Sequence, residues 1–428
     1  MRFIKDVLTD FVGTLSHVKG NAKVITLTQS LWSIPYNLYN PFITQYMLAL
    51  GLSGGQVGLI SSVGLMFGVV ISLFAGYATD RLGRRWAFLI ADLVTWGLGC
   101  LLWAFASDFA WFVAAGLSQS FIRLVTVPYN CLLVEDTPPE NRLSVYSVLN
   151  FTIILANFCA PLMNLIINPY GLVPAMRMVL LASTAVYTAT FVARHFLLKE
   201  TAISLRRKAE SRSETPFSSL ADYRRIVREL FRSRELLLFI AIRSLYYIQA
   251  NVRGTYLSVM IVQGLGFPVS TLGTVNVASG LVALAAQVAV LPRYARRDAH
   301  NPILAYLALA VASNVILFLA PAGNLPYLMA SIAMGTFGLI ILQMLIDSTV
   351  ANKMPDADRA SLIGLATLVM VVTSAPIQYL SGWLADIPSI GPRLPLLVMT
   401  AFLLGTLWTC LVSRRHKAAA GEGRPQAG

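Results

Sequence analysis

The sequence predicts an all-α membrane protein of twelve transmembrane helices, arranged as two pseudo-symmetric six-helix bundles. Three observations predict it. The 428 residues are 56% hydrophobic and only 12% charged, twelve apolar runs are long enough to cross a bilayer, and the two halves share landmarks at a constant spacing. Soluble globular domains carry about 25% charged residues, and a soluble core of this chain length could not hide so much apolar surface. The solvent is lipid.

A membrane helix needs about 20 mainly apolar residues. Ahead of the first such run, Ile4, Leu8, Phe11 and Leu15 recur at helical spacing in a stretch without the continuous apolar core of a signal peptide. Residues 1–22 are therefore expected to form an interfacial helix. Runs near 24–49, 57–77, 86–106, 109–133, 143–168 and 172–197 then build a first six-helix bundle over 23–197. A long basic connection follows over 198–235. In it Leu220, Tyr223, Val227 and Leu230 make an apolar stripe beside Arg224, Arg225, Arg228 and Arg232, the pattern of an amphipathic helix on an anionic leaflet. Runs near 236–262, 269–291, 302–320, 326–350, 360–384 and 394–412 form the second bundle over 236–413, and 414–428 is a tail.

Lys and Arg placement sets the orientation. With both termini cytoplasmic, only Arg177 and Arg393 fall outside, and Arg123, Arg243 and Arg253 remain within spans. The positive-inside rule selects that topology, and it predicts the cytoplasmic (inner) membrane as the location. The net charge of +13 is thus the imprint of insertion, its basic residues clustered between apolar runs, and no nucleic-acid partner is expected. The four cysteines lie inside apolar runs without a CxxC pair, and the four histidines are far apart in sequence. Neither pattern predicts a disulfide framework, a metal site or a cofactor.

The halves are related. Leu50-Gly51-Leu52-Ser53 leading to Gly58 is matched by Leu265-Gly266-Phe267-Pro268 leading to Gly273, and Ala160-Pro161 is matched at the same offset by Ala375-Pro376. Pro138 and Arg142 recur at nearly that offset as Pro355 and Arg359. Parallel repeats of this kind place a binding site at their interface near the bilayer midplane.

The loop after the second run reads Gly76-Tyr77-Ala78-Thr79-Asp80-Arg81-Leu82-Gly83-Arg84-Arg85. It resembles the loop 2–3 motif of the major facilitator superfamily, departing from it at Ala78. The span count, long central connection and duplicated halves extend the resemblance to the whole architecture. Physically, Gly76 is expected to permit close helix contact and Gly83 a tight turn, while Arg81, Arg84 and Arg85 anchor the loop. Asp80 can pair with these cations or cap a helix N-terminus. The resemblance implies a conformational latch, with Glu135 and Asp136 as partners of the arginines; simple positive-inside anchoring is the alternative. The arginine that exporters of the family often carry early in span four falls on Gly116, and the span-five run Ala160-Pro161-Leu162-Met163-Asn164 keeps the proline without the glycines.

Ionisable groups inside a span cost about 2.5–3.5 kcal/mol each on insertion scales and so face a cavity or a partner. Gln29, Trp32, Tyr36 and Asn40 make a stripe on span one, Gln119, Arg123 and Asn130 on span four, and Arg243, Tyr246 and Arg253 on span seven. The resemblance implies that these spans line a central substrate cavity; snorkelling is the competing reading for Arg243. Three arginines against two acids point to an anionic or carboxylate-bearing solute. Asp347 is the first candidate for a proton-coupling carboxylate and Asp92 the second, and for Asp92 a structural ion pair near the cytoplasmic surface is the preferred alternative.

No Walker sequence is present, so a gradient, most simply of protons, is the expected energy source. The sequence therefore predicts a monomeric secondary transporter of a small organic solute, embedded in lipid and moving protons or another coupling ion, with export favoured by overall likeness. A symporter importing an anionic metabolite and a transporter-like sensor are the alternatives. An embedded enzyme is disfavoured because the outer loops are too short to hold an acid or histidine cluster.

Overall fold

A computed structural model describes residues 18–211, 234–289, 300–353 and 359–419. The expected interfacial helix at the N-terminus lies almost wholly outside these residues, as does the apolar stripe at Leu220–Leu230. Every regular element among the described residues is helical. Eight of the helices are long and apolar enough to cross a membrane: Gly54–Leu82, Arg84–Phe105, Phe109–Val134, Val145–Tyr170, Leu172–Leu197, Leu325–Ile346, Ala366–Ala385 and Gly391–Ser413. The other four expected runs fall on the helices Gly20–Tyr39, Arg234–Val259, Thr271–Ala289 and His300–Leu319. These are shorter, or carry interior polar residues such as Gln29, Asn37, Gln249 and Arg253 that depress their hydropathy.

The chain folds as two compact units. The first draws its described residues from Met1–Leu52, Val63–Ser218 and Val269–Gly280, the second from Ser53–Ser62, Ser219–Pro268 and Leu281–Gly428.

In the first unit, Ile25, Phe88, Leu132, Leu133 and Leu149 centre an apolar core. Several helices are interrupted, each at a position the sequence explains. The helix Gly20–Tyr39 contains Pro35 and gives way to a 3₁₀ turn over Asn40–Phe42. Span four breaks at Ser120, whose Oγ donates to Gly64 O at 2.8 Å and Gly116 O at 2.9 Å. Span five tightens into 3₁₀ geometry over Asn157–Met163, around Pro161. Span three changes from α to a π-helical turn over Leu93–Leu98, directly after Asp92. Short π-helical turns inside α-helices are frequent at functional sites.

The second unit is centred on Leu307, Leu339, Leu342, Ile346 and Leu403. Arg393 closes one end, donating from Nε and Nη2 to Gly264 O at 3.2 and 3.1 Å and from Nη1 to Phe318 O at 3.1 Å.

The repeat landmarks occupy tight packing positions. In the second unit an added Cβ at Gly58 would stand 2.5 Å from Gln378 O, and in the first unit one at Gly273 would stand 3.0 Å from Pro161 Cα. Both duplicated glycines therefore sit where a helix backbone comes too close for a side chain.

Candidate functional site

Two polar clusters mark the first unit. One surrounds the loop between spans two and three. Gly83 adopts φ 87° and ψ 155°, backbone that other residues reach only with strain of about 1–3 kcal/mol. This turn aims the backbone N–H groups of the next helix at the Glu200 carboxylate. Arg84 N donates to Glu200 Oε1 at 2.6 Å and Arg85 N to Oε2 at 3.3 Å, which satisfies orphan helix donors and places negative charge at the positive end of the dipole.

The Arg84 side chain is buried and pairs with Asp80, and its Nη2 lies 3.2 Å from Glu135 Oε1. Thr201 both donates to Glu135 and caps the helix Ala202–Glu210 by accepting from Ser204 N at 3.0 Å. Arg85 reaches His195 O at 2.7 Å, and Arg81 donates to Tyr77 Oη at 3.1 Å.

Of the residues expected to act as a latch, Asp80, Arg84 and Glu135 are thus brought together. Asp136 accepts from Asn21 Nδ2 at 3.0 Å. Gly76 departs from its expected role: an added Cβ there meets nothing within 4 Å among the described residues, so no close helix contact is made. Gly76→Ala is therefore expected to leave stability unchanged or slightly raised, because alanine favours helix over glycine by about 0.5–1 kcal/mol. Gly83→Ala should lower it. Denaturant-driven unfolding of both variants in mixed micelles checks the contrast.

The second cluster lines a cavity of about 250 Å³ among spans one, three, four, five and six. Trp32, Phe88, Trp96, Tyr129 and Phe191 supply aromatic surface, Gln29, Thr126 and Asn130 supply neutral polar groups, and Asp92 and Arg194 supply charge. Asp92 is 2% exposed and Arg194 5%, and they form an ion pair. The guanidinium is held in place by two rings, 3.9 Å from the Phe88 centroid and 4.8 Å from that of Phe191.

Trp32 stacks on Tyr36 with centroids 5.1 Å apart and meets Trp96 edge-on at 5.2 Å. Its indole Nε1–H is buried without a hydrogen-bond partner among the described residues. Tyr129 Oη approaches Gln29 Oε1 at 3.4 Å. The arrangement offers flat apolar surface, hydrogen-bonding groups and one carboxylate to a small guest.

Of the residues predicted to line a substrate cavity, Trp32 lines this one and Tyr36 supports it from behind. Asn40 is exposed, Gln119 packs towards Gly99, and the Arg123 side chain runs along Gly68. Arg243, Tyr246 and Arg253 belong to the second unit. There Tyr246 Oη donates to Leu339 O at 2.9 Å and Arg253 Nη1 lies 3.4 Å from Asn314 Oδ1. The helix Leu325–Lys353 carries Asp347, whose side chain lies outside the described residues.

Sequence reasoning missed Arg194 and Glu200. Arg194 sits in a basic run with His195 and Lys199, where positive-inside anchoring accounts for it. Its spacing of three from Phe191 was the available signal, since residues three apart share a helix face.

An all-helical chain with several bilayer-length apolar spans and a polar, aromatic cavity inside one helical unit is a multi-pass membrane protein of transporter type. The chain belongs to the Major Facilitator Superfamily, whose family model matches residues 25–375; members are transporters rather than enzymes. A Na(+), Li(+), K(+)/H(+) antiporter of Planococcus maritimus is 28% identical over 134 residues, a stretch that is 30% of this chain and 31% of that protein. Among solved structures, the nucleoside transporter NupG superposes with a TM-score of 0.69 at 13% identity, covering 92% of this chain and 99% of that one. A D-xylose-proton symporter does so at 0.66 and 16%, covering 90% and 96%. At these identities the structural likeness speaks for the fold.

Proposed function

We propose that the chain is a proton-coupled secondary transporter of a small organic solute, working by alternating access in the cytoplasmic membrane with both termini inside. The solute occupies the cavity of the first unit, and Asp92 carries the coupled proton. One observation supports this above the others: Asp92 is the sole carboxylate among the described residues lining the cavity, and it is paired to an arginine clamped by two rings. A proton arriving at Asp92 removes the charge that holds Arg194. The ion pair opens, and the cavity changes both its charge and its hydrogen-bonding groups while a solute is bound. Trp32, Trp96 and Tyr129 give the solute flat surfaces, and the free indole N–H of Trp32 seeks an acceptor on it. The Asp80–Arg84–Glu135 cluster is proposed as the conformational latch. Export in exchange for protons is the direction we favour.

Purified protein in liposomes loaded with a pH-sensitive dye tests this under an imposed pH gradient, with a panel of anionic and amphipathic organic compounds. At least one compound should move protons through the wild type, and Asp92→Asn should abolish that movement while retaining solute exchange in the absence of a gradient. Full proton coupling in Asp92→Asn overturns the assignment. A second reading, monovalent-cation/proton antiport, is supported by the Planococcus relative. It predicts proton release on adding Na⁺, Li⁺ or K⁺ with no organic compound present.

A further inference from the structure

The second unit holds a charge with no counter-ion among the described residues. Arg253 is half-buried on the helix Arg234–Val259, and none of the ion pairs among the described residues includes it. Its Nη1 donates to Asn314 Oδ1 at 3.4 Å. A guanidinium held partly away from water is costly unless it is paired. The neutral groups beside it are themselves incomplete. Asn314 is 1% exposed and its Nδ2 has no acceptor; that nitrogen belongs to the same amide that faces the guanidinium. Gln249 is 0% exposed, both its amide atoms are unpaired, and it sits one helical turn from Arg253 on the same face. Gly335 lets the helix Leu325–Lys353 pack close to the guanidinium, since an added Cβ would stand 3.1 Å from Arg253 Nη2.

A fixed positive charge beside unused amide N–H donors, with no carboxylate in reach among the described residues, is the complement of a small anion. Each missing acceptor is supplied by one guest that brings negative charge and lone pairs together. We infer that Arg253, Asn314 and Gln249 form a binding site for a small monovalent anion, a carboxylate head group or a halide, inside the second unit. The site belongs to a different unit from Asp92 and stands whether or not Asp92 carries protons.

The test is the thermal-unfolding midpoint of the full chain in nanodiscs at constant ionic strength, with sodium gluconate replaced stepwise by sodium acetate or by sodium chloride. Wild type should show a saturable rise of a few degrees with at least one of the two. A response to acetate alone identifies the guest as a carboxylate-bearing solute; a response to chloride alone identifies a halide. Arg253→Gln should remove the response. Asn314→Asp, which places a carboxylate against the guanidinium, should fold at least as stably as the wild type and remove it as well. A flat wild-type profile overturns the inference, as does an undiminished response in either variant.

Discussion

Arg194→Leu is expected to destabilise the protein by about 3–5 kcal/mol, the cost of leaving one partner of a buried ion pair uncompensated. Asp92 is 2% exposed, so its carboxylate finds little water to replace the guanidinium when it goes. The substitution also removes a cation from between the Phe88 and Phe191 rings. Asp92→Asn in the Arg194→Leu background should restore most of the loss, because an amide next to leucine costs far less than an unpaired carboxylate. The single and double variants together form a cycle whose interaction energy isolates the pair. SDS-driven unfolding in mixed micelles, followed by tryptophan fluorescence, supplies the stabilities. Should Arg194→Leu lie within about 0.5 kcal/mol of wild type, the range of an ordinary surface substitution, Asp92 does not depend on Arg194 and the proposed proton switch loses its physical basis. The double variant separates stability from coupling: it should fold well and move no protons.

Much of the fold was legible because lipid imposes a coarse rule. Long apolar runs must be helices, since only a helix satisfies its own backbone within one segment. The weaker spans were those carrying function-type residues: Gln29 and Asn37 in one, Gln249 and Arg253 in another. The features that make a span useful also lower its hydropathy. The Gly83 turn and the Asp80–Arg84 pair are readable in the loop 2–3 motif, because turn chemistry and an i,i+4 charge pair are local properties; the Glu135 contact, 51 positions away, is not. Glu200 was invisible to the same reading. It lies more than a hundred positions from Gly83, and only the folded chain brings its carboxylate to the N–H groups of Arg84 and Arg85. Arg194 shows the converse. Its charge was plain, but a cation at the end of a span is normally spent on the membrane surface, and only Phe88, Phe191 and Asp92 together draw it inward.

Gly382→Leu should be the most damaging substitution in the second unit. An added Cβ at Gly382 would collide with the carbonyl oxygen of Gly54 and the hydroxyl of Tyr256, and would lie 2.8 Å from Gly54 C. Backbone cannot swing aside as a side chain can. Around this point Gly54, Gly58 and Ser62, each one turn apart, let the start of the helix Gly54–Leu82 approach the helix Arg359–Ala385 closely, the small-residue packing that replaces the hydrophobic drive inside a bilayer. Ser62 Oγ donates to Ala375 O at 2.5 Å, and Asp386 accepts from the N–H groups of Gly54 and Gly55 at 2.6 and 2.7 Å. Tyr256 Oη donates to Gly54 O at 3.1 Å. Overpacking alone costs about 1–3 kcal/mol, and separating the helices also strips these bonds, so the loss should exceed that range. Gly254→Leu is the matched control, because an added Cβ there meets nothing within 4 Å. In the same unfolding assay Gly254→Leu should stay near wild type while Gly382→Leu falls well below it. Equal stabilities in the two variants would mean that this contact contributes nothing to holding the second unit together.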